Sequence, residues 1–350
     1  MEKKSFLKDE TFLQHPFIVI VVLLLGFVIM DPLKMGPVGG HEFKPVKHDI
    51  APYKQVMEGW PRDNHSRLGD GKLEFVDQVF GPESLEFDGL GRGPYTGLAD
   101  GRIVRWMGQG VGWETFAIVT SNWSEKLCAR GVDSTTYKQW KHEKWCGRPL
   151  GLRFNKDSGD LYIADAYYGV LVVGSQGGLA TPLATQVDGN PIMFANDLDI
   201  HRNGSIFFTD TSKRYDRVLV KYWLEGPKTG TVEVVADLPG FPDNVRINDR
   251  GEFWVAIDCC RTAAQEVLTH NPWIRRVYFR LPVRMSLLAR MMGMRMYTVI
   301  SLFNEKGEIL EVLEDKQGDV MKLVSEVKEA QGKLWIGTVA HNHIATLPYP

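Results

Sequence analysis

ANDLDIHRNGSIFFTDTSKR, residues 195–214, decides how the chain is read. Two short apolar runs flank an Asn203-Gly204 turn, and in the first of them Leu198 and Ile200 alternate with acidic residues. Period-two alternation around such a turn marks an antiparallel hairpin with one face buried, not a helix. Asn196 and Asp197 stand where the first strand enters the fold, and buried polar groups need partners. Those partners have to come from elsewhere in the chain.

Three other segments share the pattern of strand, Gly-containing turn and second strand: PESLEFDGLGRGPYTGLADG (82–101), PLGLRFNKDSGDLYIADAYYG (149–169) and PDNVRINDRGEFWVAIDCC (242–260). The units at 149, 195 and 242 start about 47 residues apart, the length of a four-stranded propeller blade. A closing unit, LVSEVKEAQGKLWIGTVAHNHIATL from Leu323, needs one more strand, and KLEFVDQVF (72–80) can supply it. The expected fold is therefore all-β, a β-propeller.

Superposing the repeats puts Glu83, Leu150, Asn196 and Asp243 at one position, where the innermost strand of each blade begins. Three of these four carry an oxygen donor, and oxygens from several blades converging on an axis suit a hard cation such as Ca²⁺. The other reading is that each Asx side chain only satisfies the backbone of its own turn. Turn formation also accounts for Asp165, Asp210 and Asp258, which close the second strand of their units. In the matching loop of the last unit stand His341, Asn342 and His343. Histidine titrates near neutrality, so His341 is the candidate acid–base residue.

Composition sets the class. The chain has 350 residues, 44% of them hydrophobic, and a net charge of −2, which gives no basis for nucleic-acid binding. Phe17 to Met30 is unbroken apolar sequence preceded by Lys3, Lys4 and Lys8. That is a signal or signal-anchor segment, assigned to residues 1–40, ahead of a propeller domain over 41–350; it is shorter than the roughly 20 residues of a comfortable bilayer span. A buried helix of the main fold is the alternative. The remainder is expected to face a lumen (endoplasmic reticulum or vacuole) or the cell exterior. Three Asn-x-Ser sequons, at Asn64, Asn122 and Asn203, suit that compartment. So does a Cys128–Cys146 bridge; Cys259 and Cys260 are adjacent and their state stays open.

Residues 261–296 break the strand rhythm with a basic, Met-rich stretch that reads as helical. Arg275, Arg276, Arg280, Arg284, Arg290 and Arg295 alternate with Trp273, Tyr278, Phe279, Leu287 and Leu288. Such a helix can lie on an anionic membrane, cover the channel mouth, or pack on the rim with its arginines solvated.

The ordered set GPESLEFDGLGRGPYTGLADGRIVRW, CGRPLGLRF, FANDLDIHRNGSIFFTDTS, YWLEGPKTG and FPDNVRINDRGEFWVAIDC resembles the strictosidine synthase-like family of plants and its animal relative, adipocyte plasma membrane-associated protein. The resemblance implies a six-bladed propeller behind an N-terminal signal or anchor. More distantly it is similar to calcium-dependent lactonases and paraoxonases, which implies Ca²⁺ ligands at Glu83, Asn196 and Asp243 and a small-molecule substrate or ligand in the central channel. About one blade is missing relative to that pattern, between FTDTS and YWLEGP. The surviving strands either form a hybrid blade closing a five-membered ring or leave an open toroid with unpaired edges. The buried Glu that serves as base in strictosidine synthase aligns with Ser325, which cannot take that proton, and Glu326 is expected to point away because strand neighbours face opposite sides. Three functions follow: Ca²⁺-dependent hydrolysis of small esters or lactones, a Pictet–Spengler condensing enzyme, or a non-catalytic membrane-anchored propeller that binds a ligand.

Overall fold

The structure is a computed structural model that describes residues 16–30, 51–129, 142–187, 190–192, 194–200, 206–210, 218–222, 232–259, 261–281, 297–318, 320–321 and 323–350, with a few single positions besides. The chain divides into two compact units, Met1–Gln55 with Arg261–Arg295 and Val56–Cys260 with Met296–Pro350.

In the first unit the apolar run forms the helix Pro16–Met30, whose side chains are largely exposed. No helix among the described residues is long and apolar enough to cross a membrane. The insert is helical over Ala263–His270 and Pro272–Tyr278. The first of these starts on a capping box: Thr262 Oγ1 accepts from Gln265 N at 3.2 Å, and Gln265 Oε1 accepts from Thr262 N at 2.9 Å. Pro272 opens the second, where its missing N–H costs nothing. Buried Arg261 donates to Ala51 O at 2.6 Å, and Glu266 Oε1 accepts from Tyr53 N at 2.9 Å. Arg284 and Arg295 of the insert lie outside the described residues.

The second unit carries the propeller. Its first blade runs through Leu85–Glu86, Tyr95–Gly97, Arg102–Trp106 and Trp113–Ile118, with Gly178–Leu179 added in parallel at the outer edge. Its second comprises Pro149–Phe154, Leu161–Asp165, Gly169–Val173 and Thr181–Ala184. A later blade holds Gly240–Ile247, Phe253–Cys259, Tyr297–Phe303 and Ile309–Asp315. In the last, Val324–Ala330, Lys333–Thr338 and Ile344–Pro348 are joined by Lys72–Glu74, with Leu73 opposite Ala345. The N-terminal closing strand expected from KLEFVDQVF is thus in place.

Between the second and the later blade the four surviving strands form two separate two-stranded sheets, Ala195–Ile200 with Ile206–Asp210 and Val218–Tyr222 with Val232–Asp237. They do not merge into one hybrid blade. Side-chain bonds from Asn196 to Asp243 and from Arg246 to Asp197 join the two ends of the series of inner strands. The inner strand at 195–200 packs on 149–154, that on 85–86, that on 324–330, and that on 240–247.

Apolar cores fill the spaces between successive sheets, as the alternation requires. Leu152, Ile163 and Leu171 meet Tyr95, Ile103 and Phe116 between the first two blades. Trp254, Ile300 and Leu313 meet Val327, Leu334 and Ile336 at the other end of the series. The remaining face of the later blade, with Val255, Ile257, Val299 and Phe303, is covered by Trp60 and Leu238 instead of a neighbouring full sheet.

Candidate functional site

The five inner strands begin with equivalent pairs: Glu83-Ser84, Leu150-Gly151, Asn196-Asp197, Asp243-Asn244 and Ser325-Glu326. Four of these strands shift register at that point, between Pro149 and Gly151, Ala195 and Leu198, Pro242 and Val245, and Val324 and Glu326. A bulge suspends strict alternation, so two successive side chains can serve one side of the strand. This corrects the expectation for Glu326, which does not point away. It is fully buried and turned toward the axis cluster, where Oε2 accepts from Ser84 Oγ at 2.9 Å and Asn244 Nδ2 at 3.1 Å, and Oε1 from Leu85 N at 3.0 Å. Arg246 pairs with it as well. Ser325 is buried too, and its hydroxyl donates to Glu83 O at 2.8 Å.

The three oxygen-bearing residues singled out from the repeats come together. Asn196 Nδ2 donates to Asp243 Oδ1 at 3.1 Å. The Asp243 charge acts on Glu83: burial first, then Asp243, push the Glu83 carboxyl well above the ordinary carboxylate range, with Arg148 opposing. Asn244, which repeat alignment alone passed over, completes the group by pointing Nδ2 at Glu83 Oε1, 3.5 Å away. Glu83 Oε2 and Asn244 Oδ1 are buried and have no hydrogen-bond partner.

A tier of ion pairs lies three residues further along each inner strand, about 10 Å deeper at strand rise. Glu86, Arg153, Asp199, Arg246 and Lys328 occupy one repeat position there. Arg153 bridges Glu86 at 2.9 Å and Asp199 at 3.0 Å, and Lys328 reaches Glu86 at 2.8 Å. Burial alone would raise the Glu86 pKa, but Lys328 and Arg153 bring it down to about 2. Arg246 turns toward Asp197, donating at 2.8 Å and 2.5 Å, and toward Glu326. With Asn196–Asp243, this closes the ring between 195–200 and 240–247, where a further blade would otherwise stand. The signal was a charged residue recurring three positions after Glu83, Leu150, Asn196, Asp243 and Ser325.

The His341 and His343 rings stack with centroids 5.3 Å apart. His341 O accepts from Gly81 N at 2.7 Å, which sets this loop beside the entry to Glu83. Burial first, then His341, lowers the His343 pKa. Asp165 is a turn former: Oδ2 accepts from Arg148 N at 2.7 Å and Oδ1 from Tyr167 N and Tyr168 N, both at 2.9 Å. The Cys128–Cys146 disulfide is present, with an S–S distance of 2.12 Å. Asn64 and Asn122 are exposed; Asn203, with the side chains of Asp210 and Asp258, lies outside the described residues.

Sheets set around a polar axis, sealed by a strand from the other end of the chain, define a β-propeller with a channel site. Residues 67–106 match the family described as Strictosidine synthase-like, N-terminal. The chain is similar to strictosidine synthase-like protein 13 of Arabidopsis thaliana, 63% identical with 100% of this chain and 99% of the relative covered, and to protein 3 of the same series and plant, 38% identical with 95% and 99% covered. It belongs to the strictosidine synthase-like family. The first alignment spans 409 positions against the 350 residues of this chain, a difference of 59, in keeping with about one absent blade. Among solved structures it is similar to a gluconolactonase of Xanthomonas campestris, with a TM-score of 0.41 at 15% identity over 81% of this chain and 91% of that one.

Proposed function

We propose that this strictosidine synthase-like chain holds a divalent cation, Ca²⁺, in its channel through Glu83, Asn196, Asp243 and Asn244, and hydrolyses small esters or lactones there. The observation that carries the reading is the pair of orphaned buried acceptors, Glu83 Oε2 and Asn244 Oδ1, beside the Asp243 carboxylate. Buried acceptors without donors are rare, and a hard cation satisfies them while relieving the repulsion between two carboxylates. Among the described residues no trio of His, Cys, Asp or Glu is placed to hold a metal; the set here mixes two carboxylates with two carboxamides, the oxygen chemistry Ca²⁺ takes. When bound, the cation supplies Lewis-acid polarisation of a carbonyl.

The residues around it have distinct tasks. Asn196 orients Asp243, and Arg246 and Ser84 hold Glu326 so that it stays out of the reaction. His341, on the loop tied to Gly81, is the candidate base for an attacking water. The ion-pair tier of Glu86, Arg153 and Lys328 occupies the inner strands beyond the site, and on this reading substrate enters from the histidine end. A condensing activity has less support: the Ser325 hydroxyl is committed to Glu83 O, and Glu326 is committed to Arg246.

A second reading, a non-catalytic ligand-binding propeller, is favoured by the direct Asn196–Asp243 contact, which stands where another blade would contribute a ligand. Calcium titration followed by melting, together with an ester and lactone panel, separates the two. Hydrolysis requires a Ca²⁺-dependent rise in Tm and turnover, both lost in Glu83→Gln; a rise without turnover leaves the binding role, and no rise rejects the cation site.

The compartment reading rests on the Cys128–Cys146 disulfide and on exposed Asn64 and Asn122, which suit a lumen or the exterior. The apolar helix Pro16–Met30 and the basic helix Pro272–Tyr278 of the insert suit attachment to a membrane surface. Trp273, 69% exposed, is the aromatic anchor of that surface. Sedimentation of the full chain with anionic vesicles tests it, and recovery in the supernatant would reject it.

A further inference from the structure

Away from the axis, a cavity of about 410 Å³ opens beside the outer strand of the first blade. Arg92, Arg105, Glu114, Thr115, Ser175 and Gln176 line it, with Phe116 behind. The parallel strand Gly178–Leu179 brings the 174–179 segment of the second blade against Ala117 and Ile118. At Gly177, with φ +76°, an added Cβ would sit 2.1 Å from Phe116 O, so only glycine permits this approach. The cavity walls are therefore built by two blades together.

Arg105 is the singular group in it. Its guanidinium carbon lies 5.8 Å from the centre of the Tyr95 ring and 5.9 Å from that of Phe116, which hold it in place. Its polar contacts are poor: Tyr95 Oη at 3.4 Å and the half-exposed Glu114 at 3.7 Å. Its Nε is buried without an acceptor. A guanidinium offers five donors in a fixed fork matched to carboxylate and phosphate oxygens, and leaving a buried one unused costs free energy. Arg92 also lines it, with its Nε paired to Asp88 at 2.7 Å, and Thr115, Ser175 and Gln176 add neutral donors against Glu114, the single acid of the lining.

We propose that this groove between the first two blades binds a small anionic molecule through a carboxylate or phosphate group, with Arg105 as the forked anchor and Arg92, Thr115, Ser175 and Gln176 as flanking donors. The ligand oxygens take the place of Glu114 at the guanidinium. The site shares no residue with the channel, so it stands or falls independently of the cation.

Calorimetric titration of the full-length protein with inorganic phosphate and, separately, with citrate tests this at constant ionic strength. Saturable binding of at least one is expected, and the stronger of the two identifies the anion class. Arg105→Gln should weaken binding about tenfold or more, as loss of a charge-assisted fork implies, while Arg250→Gln, on a distant surface, should leave it unchanged. Glu114→Gln, which removes the competing acid without disturbing the anchor, should tighten binding several-fold and serves should Arg105→Gln fail to fold. Lack of saturation by either anion, equal binding by Arg105→Gln, or no gain in Glu114→Gln would overturn the proposal.

Discussion

The Asn196 carboxamide donates to Asp243 Oδ1 at 3.1 Å across 47 residues of sequence, joining two inner strands that lack a full blade between them. One step deeper, Arg246 spans the same join by pairing with Asp197 on one side and Glu326 on the other. Polar side chains therefore do at this seam what apolar sheet faces do at the others.

Removing Arg246 should be severe. In Arg246→Met, buried Glu326 and Asp197 lose their shared cation, and breaking a buried pair from one side costs about 3–5 kcal/mol. Urea unfolding monitored by tryptophan fluorescence checks this. An unchanged midpoint would mean that the seam is held by other contacts.

Glu83 links the channel to pH. Its folded pKa is raised above the ordinary 4.5, so without cation its contribution to stability is fully present below that value and declines as pH rises through the folded pKa. A dication needs the ionised form, so below the raised folded pKa binding should release a proton and strengthen with increasing pH. Calorimetry in two buffers of different ionisation enthalpy reads the proton directly; identical heats would contradict the assignment.

Glu86 has the opposite sign. Its pKa is lowered to about 2 from 4.5, so the stability it contributes is present above 4.5 and is lost as pH falls from there toward 2. Glu86→Gln should flatten that part of the acid-unfolding curve. An acid limb identical to that of the unsubstituted protein would show that the ion-pair tier is not what titrates.

Gly337 should not tolerate a side chain. A Cβ there would meet Glu83 O at 2.2 Å, and Gly97 stands equally close to Pro149 O, 2.4 Å from its would-be Cβ. Overpacking of this kind costs about 1–3 kcal/mol. Gly337→Ala is expected to lower the melting temperature and also to weaken any channel ligand, because the atom it strikes belongs to Glu83. A cation affinity unchanged in a destabilised variant would separate packing from site geometry.

The disulfide offers a simpler test. Cys128 and Cys146 are 18 residues apart, and closing a loop of that order contributes about 3 kcal/mol through the unfolded chain. Cys128→Ala with Cys146→Ala should melt several degrees lower than the unsubstituted protein, and an equal melting temperature would show that the bridge adds nothing.

Much of this fold was legible because a propeller repeats itself. Leu198 and Ile200 announced a hairpin, the spacing from Pro149 to Pro242 announced blades, and KLEFVDQVF announced the closing strand. Glu83, Asn196 and Asp243 come together because equivalent positions in a ring face one axis. What escaped was register. A bulge adds one residue to one strand and leaves no compositional trace, so strict alternation points Glu326 outward and does not single out Asn244 beside Asp243. The fate of the shortened region was equally hidden, because whether four strands merge or stay as two pairs depends on what covers their faces. Here Trp60, far away in sequence, covers the adjoining blade.

The pairing of Leu73 with Ala345 has a consequence for biosynthesis. A nascent chain cannot complete this sheet until Ile344–Pro348 have left the ribosome, so Lys72–Glu74 wait for a partner made far later. Earlier blades can stack as they emerge, but the lock is fitted only once that partner strand is made. Messages cut short ahead of the codons for Ile344–Pro348 should therefore yield not a slightly smaller propeller but an unclosed one.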